Sequence, residues 1–398
     1  MSNISSNHET STDEEYNEIM ERMRIDATII TTISIVATLI GNLLLICVLF
    51  NSKKENGRRN IPSHKKLILH LCISDICYAI FALLPTLMLS MFYSDIKLNE
   101  YVCKFHKYLS LVPMYSSSFL LVAISVDRYY AICKPFKRLN YNIFRTSKFF
   151  ASVAWSSALI CSIPNFILWG ETELGYCDVS SDKVWMSKAN IGFFILTAWI
   201  LPCIIAGTLY YHVYISAYKK NDLKYDVTKE NILSNKSFTK EKNFMGIMKN
   251  IKNSTKTTIL DCKEAEVIVN RQNHNKQSYR RTKDYAFAKK KKYTIKLTST
   301  IITVSFMMYA PFTICNLMDF LNIRLGDGIV ATYVLFLGNL NSCTNPVIYF
   351  YFNFRSLLTL LVDFKNFIKR WFLFLFKSND TSSSINEDIF GELRNLNS

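Results

Sequence analysis

The chain has 398 residues, half of them hydrophobic, with 47 Lys and Arg against 31 Asp and Glu and a formal net charge of +16. Length alone would allow two or three soluble domains, but the apolar residues gather in long blocks and do not recur at the short periods of a soluble core, which excludes a soluble protein. The basic excess lies in the connections between those blocks, with few aromatics around it, so no nucleic-acid partner is expected.

Residues 1–26 form a polar tail with seven acids (Glu9, Asp13, Glu14, Glu15, Glu18, Glu21, Asp26) against Arg22 and Arg24. Asn3-Ile4-Ser5 is an N-glycosylation sequon, and Tyr16, set among acids, resembles a sulfation site. The first apolar block is too long for a signal-peptide core and reads as an uncleaved anchor.

Seven blocks follow, at 27–50, 67–92, 105–126, 149–169, 189–217, 297–318 and 329–352. Each has the roughly 20 mostly apolar residues needed to cross about 30 Å of hydrocarbon. Six lack Asp, Glu and Arg, and lack Lys beyond the first turn; the second carries Asp75. The connection after span 1 holds Lys53, Lys54, Arg58, Arg59, Lys65 and Lys66, and the one after span 3 holds Lys134, Lys137, Arg138, Arg145 and Lys148. Lys and Arg collect on the cytoplasmic side, which puts the N-terminus outside, in a plasma membrane. Between spans 5 and 6, residues 219–292 contain 20 Lys and Arg against 8 Asp and Glu. That composition reads as a solvated, irregular third cytoplasmic loop near anionic lipid.

Of the 11 cysteines, Cys103 and Cys177 fall at the outer face, where oxidation occurs. A disulfide between them would tie the top of span 3 to the connection after span 4. After span 7, residues 353–377 interleave Leu357, Leu358, Leu361, Phe364, Ile368 and Trp371 with Asp363, Lys365, Lys369 and Arg370. This is the pattern of an interfacial helix and not of an eighth span. The tail 378–398 opens on Thr381-Ser382-Ser383-Ser384, a candidate phosphoacceptor cluster for arrestin. The predicted fold is therefore all-α, a seven-transmembrane helix bundle with a C-terminal amphipathic interfacial helix.

Span 3 ends Asp127-Arg128-Tyr129-Tyr130-Ala131-Ile132-Cys133-Lys134-Pro135, and span 7 ends Asn341-Ser342-Cys343-Thr344-Asn345-Pro346-Val347-Ile348-Tyr349. These resemble the Asp-Arg-Tyr and Asn-Pro-x-x-Tyr motifs of the rhodopsin-like (class A) G-protein-coupled receptors. Gly41-Asn42, Leu71, Asp75, Trp155, Pro202 and Pro311 fall one set per span in the family's order. An Asp–Arg pair at the membrane boundary holds the arginine inward, and its release frees a long cation for a cytosolic partner. Pro346 removes a backbone donor and bends the helix, and Asn345 is placed to satisfy the freed groups. The resemblance implies that Asp127, Arg128, Tyr129, Tyr210, Asn345, Pro346, Tyr349, Tyr309 and Pro311 carry activation, with Tyr349 close to Arg128 and Tyr210. It also implies that Asp75, Ser117, Asn341, Ser342 and Asn345 hold a Na⁺ ion; the alternative is a protonated Asp75 in a hydrogen-bond network. No other metal or cofactor is expected, and no nucleophile–base spacing points to an enzyme.

The chain also departs from the family. Tyr309 stands where a Trp is usual, Phe306 is one residue out of step, and Phe354-Arg355 follows Tyr349 early. Lys291 stands where many members carry an acid that pairs with the motif arginine. Span 7 has no lysine for retinal, its place being Asn339, and Ser110 stands where amine receptors carry an Asp. The acidic outer face would draw a basic peptide or small basic protein. The tail resembles chemokine receptors, but residues 1–26 and 319–328 contain no Cys for their second disulfide, and Asn-Ser-Cys-Thr-Asn-Pro is closer to neuropeptide receptors. The expectation is a peptide or chemokine-like receptor acting on heterotrimeric G proteins; a non-signalling decoy and a transporter are the competing readings. The Asn/Lys-rich loop fits an AT-rich genome, as a receptor captured by a virus would have.

Overall fold

The computed structural model describes residues 2–55, 61–92, 99–134, 146–172, 176–179, 184–217, 258–323, 333–334, 338–366 and 368–370; for 2–17, 52–55, 90 and 258–287 it describes the backbone alone. The helices are α1 (Ser2–Glu55), α2 (Ser63–Leu89), α3 (Glu100–Ile132), α4 (Ser147–Leu168), α5 (Val184–Ala217), α6 (Thr258–Phe320), α7 (Asn341–Phe352) and α8 (Phe354–Arg370). Helices meet every backbone donor and acceptor within one segment, which is what hydrocarbon demands. Six of them, α1 to α6, contain a stretch long and apolar enough to span a membrane; the last block joins this set when α7 is taken with α8, which turns away from it by 96°. The turn falls at Asn353, so the chain re-enters a helix at Phe354.

The chain divides into two compact units, each described by itself. The first contains α1, α2, α7 and α8. Its pattern is the inverse of a soluble helix: α1 buries Thr31, Ser34, Thr38 and Asn42 in one stripe and exposes Ile29, Ile33, Val36, Ile40 and Leu43 on the other face. Small and polar residues line helix contacts in lipid because the apolar ones have no reason to leave it. Gly41 permits the closest approach. A Cβ there would lie 3.2 Å from both Cβ and Cγ of Pro346. Along α8, Leu358, Leu361, Phe364 and Ile368 are exposed, the pattern of a helix that lies on a membrane surface.

The second unit contains α3, α4, α5, α6 and a hairpin of β1 (Trp169–Glu171) with antiparallel β2 (Cys177–Val179). Caps set two helix starts: Asn99 accepts from the backbone N–H of Tyr101 at 3.0 Å and Thr146 from that of Phe149 at 3.3 Å. The core joins Val112, Tyr115, Ala158 and Ala198, with Trp155 and Phe194 packed against them. In both α2 and α5 a π-helical stretch, Ala79–Leu83 and Ile195–Ile200, sits just before a proline, Pro85 and Pro202. A proline leaves a carbonyl without its usual donor, which loosens the local hydrogen-bond register.

Two backbone findings differ from the sequence reading. The helix of span 1 runs back through the acidic tail to Ser2, with Arg22–Glu18 and Arg24–Glu21 pairs at 3.5 and 4.0 Å. The helix of span 6 begins at Thr258, inside the segment expected to be irregular. Residues 258–292 contain no Gly or Pro to end it. Residues 218–257 lie outside the described residues.

Candidate functional site

In the first unit the functional residues meet around α7. Pro346 cannot donate to the carbonyl of Ser342, four residues earlier. Asn42 supplies that donor: its Nδ2 reaches the Ser342 carbonyl at 3.1 Å and the Thr38 carbonyl at 2.9 Å. Gly41 and Asn42 thus act together, one making room for the proline ring and the other satisfying the carbonyl the proline orphans. One turn away, Thr38 Oγ1 and Cys343 Sγ lie 3.1 Å apart.

Asn345 Nδ2 donates to Asp75 Oδ2 at 2.9 Å, while the Ser342 carbonyl takes its donor from Asn42. Asp75 is 2% exposed, and an acid at this depth is tolerated only with polar partners. Asn341, one turn before Asn345, is also buried, and neither its Oδ1 nor its Nδ2 has a hydrogen-bond partner among the described residues. Ser342 and Tyr349 are buried on the same helix, and Tyr78 donates to Asn339 Oδ1 at 2.7 Å. The Asp75 carboxylate and the unpartnered Asn341 amide oxygen, one turn along α7 from Asn345, are oxygen groups of the kind that suit a hard cation.

In the second unit, Asp127 and Arg128 are 2% and 8% exposed at the end of α3, and pair with each other. Arg128 Nε donates to Asp127 Oδ2 at 3.1 Å, and its Nη2 donates to the same oxygen. The pair compensates two charges that neither could bear alone in a low dielectric. Tyr129 turns elsewhere: its ring meets that of His212 edge-on at 6.3 Å, and Lys134 Nζ lies 5.5 Å from its centroid. Tyr210 on α5 donates to Thr298 Oγ1 on α6 at 2.5 Å, and Thr298 passes the bond to the Thr294 carbonyl at 3.0 Å. Lys291 is half-buried at the foot of α6, between the exposed Lys290 and Lys292. Higher on α6, Tyr309 and Pro311 are half-buried, and Trp199 Nε1 of α5 donates to the Phe306 carbonyl at 3.2 Å.

At the opposite end of this unit Cys103 and Cys177 form the disulfide, with an S–S distance of 1.94 Å and a sequence separation of 74. It holds the hairpin against α3, where Lys107 Nζ stands 3.8 Å from the centroid of the Trp169 ring. Asn190 of α5 donates to Asn165 Oδ1 of α4 at 3.1 Å, leaving Asn165 Nδ2 and Asn190 Oδ1 buried without partners among the described residues. Ser117 is buried in α3, its hydroxyl likewise without a partner.

Comparison with known proteins bears on the family to which these motifs belong. Residues 41–349 match the family model of the 7 transmembrane receptor (rhodopsin family). The chain belongs to that family. Among its relatives it is similar to nematocin receptor 1 of Caenorhabditis elegans, 31% identical over 323 residues that cover 81% of this chain and 78% of the relative. Nematocin receptor 2 of the same worm is also 31% identical, covering 81% of this chain and 75% of the relative. Cephalotocin receptor 1 of Octopus vulgaris is 27% identical over 82% of this chain and 78% of its own length.

The receptor class, the all-α seven-transmembrane fold and the Cys103–Cys177 disulfide therefore stand as the sequence implied. The chemokine-like reading gains no support, since these relatives are named for nematocin and cephalotocin, and the decoy reading gains none either. The relatives are animal receptors and give no sign of a viral origin. Asn3 and Tyr16 lie where only the backbone is described, and Thr381–Ser384 lie outside the described residues. Sequence reasoning missed Thr38, Thr298, Trp199 and the Asn165–Asn190 pair. The signal available for Thr38 was a stripe of Ser, Thr and Asn at helical spacing in an otherwise apolar span.

Proposed function

We propose that this receptor carries the signal of an extracellular peptide, of the nematocin or cephalotocin kind, to a heterotrimeric G protein, from a plasma membrane with its N-terminus outside. The observation that carries the proposal is the buried Asp127–Arg128 pair at the inner end of α3, a restrained cation that an opening bundle would release. Similarity over four-fifths of the chain to receptors named for nematocin points to the ligand class. At the outer end, the spare amide donor of Asn165 and the spare acceptor of Asn190 are the complement of a peptide or carboxamide group. Lys107, held over Trp169, adds a cation that can meet a carbonyl or carboxylate.

Ligand binding by one state of the helices more than another shifts their populations. In this chain the movement would have to break the Tyr210–Thr298 bond or carry α5 and α6 together, because that bond and the Trp199–Phe306 bond tie the two helices. Na⁺ would be held by Asp75 with the oxygens of Asn341, Ser342 and Asn345, neutralising the buried acid. Arrestin would read the phosphorylated tail.

The test is a panel of nematocin, cephalotocin and chemokines applied to cells expressing the chain, with second-messenger output as readout. Activation by the first two and not by chemokines supports the proposal. Saturable binding with no output from any G-protein class would instead support capture without signalling.

A further inference from the structure

We propose that a groove between the N-terminal half of α5 and the C-terminal end of α6 holds an acyl chain of a membrane phospholipid, whose phosphate meets Lys188. The groove has a volume of about 560 Å³ and runs from Trp185 to Ile200 on α5 against Leu317 and Phe320 on α6. Two small residues make it. Gly192 forms part of its floor, where a Cβ would come 3.1 Å from the Phe320 ring, and Ala189, one turn earlier on an exposed face, contributes a single methyl. Ile195 and Ile200, the first and last residues of the π-helical stretch, line it as well.

The chemistry of the walls selects the occupant. Every lining residue but one is uncharged, and the exception is the half-buried Lys188. Its ammonium donates to Asn322 Oδ1, on the turn that ends α6 with φ 57°. An ammonium has three donors, and Asn322 uses one of them. Trp185, 70% exposed one turn before Lys188, marks this end as the membrane boundary, where aromatic rings and snorkelling cations sit at the headgroup level.

An apolar groove open at hydrocarbon depth has no aqueous competitor, and a chain that fills it gains packing contacts the bare helices lack. From Lys188 to Ile200 is 12 residues, or about 18 Å of helix at 1.5 Å per residue. That matches one leaflet of a core about 30 Å thick. A sterol would fit the apolar walls, but its hydroxyl is a poor partner for a cation; a phosphate gives the charge-assisted bond.

The experiment uses the full chain in nanodiscs containing phosphatidylglycerol with a photoreactive diazirine on its acyl chain, the adducts being mapped by mass spectrometry. Adducts should concentrate several-fold on 189–200 and 317–320 relative to the lipid-facing side of α4. Ala189→Phe, which fills the groove from an exposed position, should bring them to the level of α4. Lys188→Gln should abolish the preference for the phosphatidylglycerol probe over a phosphatidylcholine one. Label on α4 serves as the folding control for both variants. Label spread in proportion to exposure, label unchanged by Ala189→Phe, or displacement by an equal mole fraction of cholesterol would each overturn the proposal.

Discussion

Asn42 makes two hydrogen bonds of very different kinds, and a double-mutant cycle separates them. The bond to the Thr38 carbonyl, at 2.9 Å, is local to α1, where that carbonyl is already served by the helix. The bond to the Ser342 carbonyl, at 3.1 Å, serves an acceptor that Pro346 leaves without its helical donor. Asn42 is completely buried, so water cannot replace it. Leaving a buried acceptor unmet costs about 1–3 kcal/mol, whereas side-chain bonds between membrane helices average about 0.6 kcal/mol. Because Pro346 cannot supply the helical donor to the Ser342 carbonyl, Asn42→Ala should cost about 1–2 kcal/mol, nearer the first figure.

Pro346→Ala restores an N–H four residues after Ser342, so in that background Asn42→Ala should cost less than half as much. The assay is thermal unfolding of the detergent-solubilised receptor, followed by thiol labelling of the buried Cys72, for wild type, both single variants and the double. A coupling energy near zero would mean that Asn42 does not replace the donor missing at Pro346. The reading of Gly41-Asn42 and Pro346 as one unit would then be wrong.

Other substitutions probe other parts of the molecule. Cys103→Ser or Cys177→Ser opens a loop with a separation of 74 residues, a loss of about 4 kcal/mol on chain-entropy grounds, and should abolish surface expression measured by flow cytometry. Thr298→Val should shift the midpoint of ligand-stimulated output by the same factor as Tyr210→Phe, with the double variant no worse than either, since the two share one bond. Asp75→Asn should remove any difference in ligand affinity between NaCl and choline chloride; a persisting Na⁺ effect would place the ion elsewhere. Lys291→Glu should lower ligand-independent nucleotide exchange, because an acid at the foot of α6 can attract Arg128 where a cation repels it. Two charges at such an interface interact by about 1 kcal/mol or more, and about 1.4 kcal/mol changes a population ratio tenfold.

What could be read from the sequence follows from the range of the interactions involved. The spans were legible because hydrocarbon imposes a composition on each segment by itself, and Asp127-Arg128 because the pair is formed by adjacent residues. Asn345 was legible as a functional residue and, through the family resemblance, as a neighbour of Asp75, although the two lie 270 positions apart. Only the packed helices show that Asn42 supplies the donor to the Ser342 carbonyl that Pro346 leaves unmet. The π-helical stretches before Pro85 and Pro202 were hidden because the prolines alone do not say how the freed carbonyls are accommodated. The helix that reaches back to Thr258 was obscured by charge: its Lys and Arg read as solvated loop, though the absence of Gly and Pro left nothing to stop a helix entering span 6. The chemokine-like expectation rested on tail composition, which is shared by many surfaces that attract basic ligands.

The measurement that bears most directly on the proposed function is nucleotide exchange on a purified heterotrimeric G protein by the receptor in nanodiscs, with and without nematocin. The account predicts exchange that rises with peptide in wild type and is lost in Arg128→Ala while peptide binding persists. Peptide binding with exchange at the level of empty nanodiscs in wild type would contradict it.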